Sequence, residues 1–175
     1  MSNAILFVTG ASGAGKTTAI ELLARREEWR GCCHFFDSVG VPGPAEMAEK
    51  YGDGRSWQRE TITLWVERLA KAAEPLSILE GQMQPSWIRE ALARHTVART
   101  EILLLDCEDD VRKHRLVDLR GQPDLADAAM FKWAAYLKGQ ADALDLPVLD
   151  TSTMPLEGVA DEIARLAGTL ASVSS

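Results

Sequence analysis

The 175-residue chain is short of positive charge, of aromatic residues and of cysteine. Lys and Arg number 19 against 26 Asp and Glu, a formal net charge of -7. Domains that grip nucleic acid carry a basic face, because neutralised phosphates supply most of their affinity, so no nucleic-acid partner is expected. Cys32, Cys33 and Cys107 are the three cysteines. An odd number with one adjacent pair makes neither a disulfide framework nor zinc-ligand spacing, and reduced thiols in a cytoplasmic protein are the expectation. His34, His95 and His114 are scattered and form no metal cluster. No apolar run has the length to span a bilayer, and no basic stretch precedes an apolar one at the start, so neither a membrane nor a secretion signal is expected. Repeats, low-complexity tracts and long linkers are missing as well. With 46% hydrophobic and 26% charged residues, the length suits one domain over 1–175, with disorder confined to ends such as the Ser172–Ser175 tail.

What is present is an alternation. Ile5–Val8, His34–Phe36, Leu76–Leu79, Ile102–Leu105 and Pro147–Leu149 are short apolar runs. Continuous rather than alternating apolarity fits strands covered on both faces, and Pro147 suits the start of an edge strand. Between the runs lie stretches of helical period: Ile62, Trp65, Val66, Leu69 and Ala73; Met130, Trp133, Ala134, Leu137, Ala141 and Leu144; Val159, Ile163, Leu166 and Leu170. The alternation predicts an α/β fold of three layers, α/β/α, with ligands at the carboxyl ends of the strands.

Gly10-Ala11-Ser12-Gly13-Ala14-Gly15-Lys16-Thr17 matches G-x-x-x-x-G-K-[ST] in full, between an apolar strand and a helix with Ile20, Leu23 and Ala24 on one face. Glycines let the backbone curl until its N–H groups point at phosphate oxygens, and the helix start adds partial positive charge. Lys16 is expected to reach the β- and γ-phosphates of ATP, and the Thr17 hydroxyl to coordinate Mg²⁺. The phosphate-facing set is Gly10, Ser12, Gly13, Ala14, Gly15, Lys16, Thr17 and Thr18. A glycine-rich turn with an accidental lysine is the bland alternative.

The loop and the alternating pattern resemble the P-loop small-molecule and nucleotide kinases, a group that includes shikimate, gluconate and adenylate kinases. The resemblance spans nearly the whole chain in layout and is specific in a few segments. It implies a five-stranded parallel sheet in the order 2-3-1-4-5, with the P-loop strand central.

Phosphoryl transfer needs a carboxylate to accept the acceptor's proton or to hold the metal. Asp37 follows the second apolar run and opens a loop to Gly43; Glu80 follows the third. In shikimate-type kinases the end of the second strand carries acidic ligands in an Asp-x-Asp pattern, and here Ser38 and Val39 stand in place of the rest of it. The strand ending in Glu80 resembles a Walker B strand. Asp37 is the preferred base and acceptor-orienting residue and Glu80 the preferred Mg²⁺ partner, although the sequence allows the two to be exchanged. A helix cap or a solvated charge is the alternative for each. Gln82 and Gln84 offer amides to a polar acceptor. Trp57 and Trp87 read as core anchors before substrate platforms, and Arg55 and Arg59 as exposed helix residues before partners of an anionic acceptor.

Asp109–Leu119 reads as a helix broken by Arg120-Gly121-Gln122-Pro123. In adenylate-type kinases, arginines in this place begin a lid. By that resemblance Arg115 lies across the base, Arg120 reaches the phosphates, Arg112 is a second phosphate candidate, and a short lid occupies 109–124. Pairing with Asp109, Asp110 and Asp118 on a solvated helix is the alternative. Asp150-Thr151-Ser152 meets either the base edge or the following helix as a cap.

The reading is a kinase moving the γ-phosphate of ATP to a hydroxyl of a small-molecule acceptor. The competitor is an NTP-dependent switch or a nucleotide-binding module without transfer. The Asn-Lys-x-Asp base-reading motif of GTPases is absent from the sequence, which favours the kinase. Oligomeric state and acceptor identity are not legible.

Overall fold

A computed structural model describes residues 3–172; residues 1–2 and 173–175, which include most of the serine-rich tail, lie outside the described residues. Strand β1 (Ala4–Thr9) is fully buried along its length and sits in the middle of a five-stranded sheet. Its neighbours are β3 (Leu76–Glu80) and β4 (Arg99–Asp106), with β2 (Cys33–Phe35) and β5 (Val148–Asp150) outside them. All pairings are parallel, in the order β2-β3-β1-β4-β5 that the resemblance implied.

The continuous apolarity of β1 follows from the pleat, which sends alternate side chains to opposite faces. Ile5 and Phe7 join Leu79, Trp57, Ile62, Trp65, Val66 and Leu69 on the face covered by α3 (Gly54–Ala70) and α4 (Pro85–Leu92). Leu6 and Val8 join Ile78, Leu103 and Leu105 on the other, beneath α1 (Lys16–Ala24) and α7 (Leu156–Ser172). Each fully buried Leu, Ile or Val is worth about 1.5–3 kcal/mol of apolar burial, so both layers are needed. A third cluster docks α6 (Ala128–Ala143) on Leu104 through Ala134, Leu137 and Ala141. No helix among the described residues is long and apolar enough to cross a membrane.

Capping sets the helix ends. Asp53 accepts from Ser56 N at 2.7 Å to open α3, and Asp127 accepts from Met130 N at 2.8 Å to open α6. The apolar period that reaches Ala73 in the sequence overruns α3, which stops at Ala70 with Lys71 N bonded to Arg68 O. A short helix α2 (Pro44–Tyr51) buries no residue and carries no strong sequence signal beyond its N-terminal proline. The arginine segment begins as α5 (Asp109–His114), and Arg115–Leu119 continues it as one π-helical turn, closed by Arg120 N to Arg115 O at 3.1 Å. Gly121, at φ 62°, then ends it in the left-handed conformation expected of a residue after a helix.

Candidate active site

Register brings three strand ends to one place. Val8 pairs with Glu80, and Glu80 with Phe35, so the P-loop, Glu80 and the turn carrying Asp37 leave the sheet side by side. Thr9 fastens the first two of these: its hydroxyl donates to Met83 O at 2.6 Å and accepts from Met83 N at 3.0 Å.

The loop closes as its sequence requires. Gly10, Gly13 and Gly15 have φ of 146°, 82° and 91°. A Cβ on Gly10 would overlap Leu105 O, and one on Gly13 would stand 2.9 Å from Arg112 Cγ. Lys16 opens α1 with its side chain buried, folded back so that Nζ donates to Ala11 O at 3.2 Å. Burial pushes its pKa from 10.5 down to about 8; Glu80 and Asp37 oppose the shift, while Arg120 and Arg112 add to it. A buried ammonium whose neutralising partners fall short is a cation waiting for an anion.

Next to Lys16, Thr17 Oγ1 donates to Glu80 Oε2 at 3.1 Å. Glu80 is buried, and burial raises its pKa against the pull of Lys16 and Thr17. A hydroxyl beside a carboxylate is an oxygen donor set suited to Mg²⁺, which takes few protein ligands and completes its shell with phosphate and water. Among the described residues there is no cluster of three or more His, Cys, Asp or Glu placed to hold a metal ion. Asp37 is exposed in a 3₁₀ turn, Phe36–Val39, close enough for its charge to act on both Lys16 and Glu80. Gly81 allows this approach, because a Cβ there would overlap the Phe36 side chain.

The arginines divide. Arg112 is fully buried: Nη1 donates to Ser12 O at 2.8 Å, and Nη2 to Asp106 Oδ1 at 2.6 Å. It braces the P-loop through Ser12 O, and both its terminal nitrogens are taken by protein oxygens, where its position in the sequence suggests a phosphate contact. The reason is local, since the carboxylate of Asp106 ends β4 directly beneath it. Arg115 is half-buried and spans Gly13 O at 3.1 Å, Thr151 Oγ1 at 2.9 Å and Thr151 O at 2.6 Å. Arg120 is exposed, its charge acting on Lys16. Thr151 is buried and donates to Ala14 O at 2.9 Å, so the segment after β5 is tied to the P-loop and caps no helix through this hydroxyl. Arg115, Arg120, Thr18, Thr151, Met154 and Leu156 line a cleft of about 370 Å³ beside the Gly13–Gly15 stretch.

On the opposite side of the P-loop, Gln82 is held at both side-chain polar atoms and at its carbonyl. Its Nε2 donates to Ser12 Oγ at 2.9 Å, its Oε1 accepts from Trp133 Nε1 at 3.0 Å, and its carbonyl accepts from Gln58 Nε2 at 2.6 Å. Gln58, Gln84, Trp133 and Tyr136, with Arg55 at the mouth, line a second cleft of about 430 Å³. From the sequence Trp133 reads only as a core position, and Gln58 and Tyr136 carry no signal; no motif marks them, and only the docking of α3 and α6 assembles them. Arg59 is turned away, paired with Glu90 at 2.5 Å.

Fold and loop together define the class: a P-loop α/β/α protein with the strand order and flanking helices of small-molecule kinases. No protein-family model matches the chain, and no curated protein matches it in sequence. Solved structures do match. Shikimate kinase from Acinetobacter baumannii in complex with shikimate aligns with a TM-score of 0.61 at 19% identity, over 97% of this chain and 94% of that one. A sugar kinase from a Janibacter species aligns at 0.60 and 21%, over 97% and 96%. A gluconokinase from Sinorhizobium meliloti aligns at 0.57 and 20%, over 97% and 95%. At these identities the likeness establishes the fold.

Proposed function

We propose that this protein is an ATP-dependent kinase that phosphorylates a hydroxyl of a small molecule. One observation carries the reading: a partly neutralised buried Lys16, a Thr17–Glu80 oxygen pair and the free carboxylate of Asp37 meet at the ends of three strands, between two separate clefts. A nucleotide belongs in the cleft at Arg115 and Thr151, with its phosphates on the Gly10–Thr18 loop. The acceptor belongs in the cleft beyond Gln82. The chain is read as one domain whose short lid, 109–124, brings Arg120 over the phosphates.

In the transfer the acceptor's oxygen bonds to the γ-phosphorus as the bridging β–γ P–O bond breaks, and ADP leaves with that bond's electron pair. Asp37 takes the acceptor's proton, Lys16 and Arg120 balance charge on the phosphoryl oxygens, and Arg115 holds the nucleotide. Thr17 and Glu80 would hold Mg²⁺, which supplies charge neutralisation at the phosphates. Arg112 positions the loop through Ser12 and touches neither partner.

The test is ATP consumption with and without a pool of hydroxylated metabolites, for the wild type and Lys16→Ala. A kinase gains strongly from its acceptor, and Lys16→Ala stays folded but loses turnover. ATP hydrolysis indifferent to every acceptor, or full activity in Lys16→Ala, would sink the assignment.

A further inference from the structure

We infer that the acceptor is an uncharged cyclic alcohol, held by a neutral donor–acceptor pair against an aromatic wall, and not a carboxylic acid or phosphate ester. The inference rests on the kinase reading above and adds the chemical class of its acceptor.

The hydrogen-bond network around Gln84 fixes what it presents. Gln84 is 3% exposed, and its Oε1 accepts from the Tyr136 hydroxyl at 3.2 Å. Tyr136 in turn accepts from Gln140 Nε2 at 2.6 Å, so its single proton is directed to Gln84. Gln140 Nε2 is also anchored at Ser86 Oγ, 3.2 Å away, and its Oε1 accepts from Ser86 N at 3.3 Å. In this arrangement Gln84 turns its oxygen towards Tyr136. Its Nε2, with no hydrogen-bond partner among the described residues, is left as a donor to the cleft that Gln84 lines. That nitrogen still reaches the cleft's solvent, and a ligand acceptor can take water's place on it.

Gln58 supplies the complement. Its Nε2 is engaged by Gln82 O, which leaves Oε1 as an acceptor in the same cleft. The wall beside them is the Trp133–Tyr136 pair, stacked with centroids 5.7 Å apart and planes 20° apart. Flat π-faces hold the face of a ring, either a heterocycle or the C–H face of a sugar, and neutral amides read adjacent donors and acceptors on its edge. Charge in the cleft argues the same way. Its one lining cation is Arg55, exposed and drawn 5.8 Å over the Trp87 ring, while Arg59 is neutralised by Glu90. An exposed arginine contributes little to anion binding in water. Gln82 links this cleft to the P-loop, its carbonyl accepting from Gln58 and its side chain donating to Ser12.

The experiment is calorimetric titration of the full chain, saturated with Mg²⁺ and a non-hydrolysable ATP analogue. Three sets of probes are used: ribonucleosides, neutral hexoses and cyclitols, and the acids gluconate and shikimate. The inference expects saturable binding from one of the two neutral sets, the set that binds distinguishing heterocycle from sugar. It expects binding about tenfold weaker in Gln84→Leu, with a similar loss in Gln58→Leu, which is half-buried and keeps the test open should the first variant fail to fold. Tightest binding by an acid, neutral binding indifferent to both glutamine changes, or no neutral binder at all would overturn it. Heat from the ATP analogue alone reports separately on the nucleotide site, so failure of the acceptor inference is distinguishable from failure of the kinase reading.

Discussion

The buried ammonium of Lys16 makes triphosphate binding a proton-uptake reaction at alkaline pH. In the free protein burial holds its pKa at about 8, against 10.5 in water. A triphosphate against Nζ favours the charged form and returns the pKa to about its ordinary 10.5 or higher. Terminal phosphates lose their last proton near pH 6, so above pH 7 the ligand's own titration is nearly over. With these values Lys16 is about nine-tenths charged at pH 7 and about one-tenth charged at pH 9 in the free protein, and almost fully charged in the complex at both. Binding should therefore take up about 0.1 proton at pH 7 and about 0.9 at pH 9, and affinity should fall about tenfold between them, or about 1.4 kcal/mol. Calorimetry of the ATP analogue in two buffers of different ionisation enthalpy reads the uptake directly. Lys16→Arg is the control, because a guanidinium stays charged throughout and should give a flat profile. Affinity and heat independent of buffer between pH 7 and 9 in the wild type would refute the argument that Lys16 is held short of its charge. The same depression has a stability counterpart with the sign reversed: the unfolded chain binds the extra proton between about pH 8 and 10.5, so the Lys16 contribution to the free protein's stability rises as pH climbs through that window.

Arg112→Met should cost about 3–5 kcal/mol, because it leaves Asp106 with only the more distant Lys138 at 3.9 Å and strands two loop carbonyls. At about 2–4 °C per kcal/mol for a chain of this size, scanning calorimetry should show Tm lowered by about 6–20 °C, and an unchanged Tm would mean the buried pair is replaceable. Arg115→Ala should raise KM for ATP about tenfold with the acceptor's KM unchanged, and adding Thr151→Val should raise it little further, since the two side chains act through one contact.

Much of this was readable before any coordinates. The P-loop announces itself because close backbone curvature admits few residue types: an overlap with Leu105 O enforces Gly10, and a left-handed φ favours Gly15. The strands were legible because a doubly covered sheet needs unbroken apolar runs, and the order 2-3-1-4-5 came from the resemblance, periodicity being silent on it. Helix ends were less legible. The apolar period past Leu69 continued to Ala73, yet α3 stops three residues earlier where the chain turns towards β3. Arg112 and Arg115, three apart on one helix face, read as a phosphate candidate and a base contact; the carboxylate of Asp106 below and Thr151 beside them make one a support and the other a cleft wall.

The acceptor side was the least legible part, for a reason that bears on how such a site is built. Gln58, Gln84 and Trp133 lie on three segments tens of residues apart, and each is unremarkable where it stands in the sequence. Gln82 makes them one unit: its side chain joins Ser12 of the P-loop to Trp133 of α6, and its carbonyl holds Gln58 of α3. Each polar atom of its side chain makes one bond in this joining, which fixes Gln82 between the P-loop and α6. That division explains why two glutamines two residues apart have different duties. Gln82 bonds the loop through its side chain, whereas Gln84 accepts from Tyr136 and its amide nitrogen has no hydrogen-bond partner among the described residues. Phosphoryl transfer is sensitive to small errors in the approach of the attacking oxygen, and a rigid link of neutral hydrogen bonds holds that approach without adding charge beside the triphosphate.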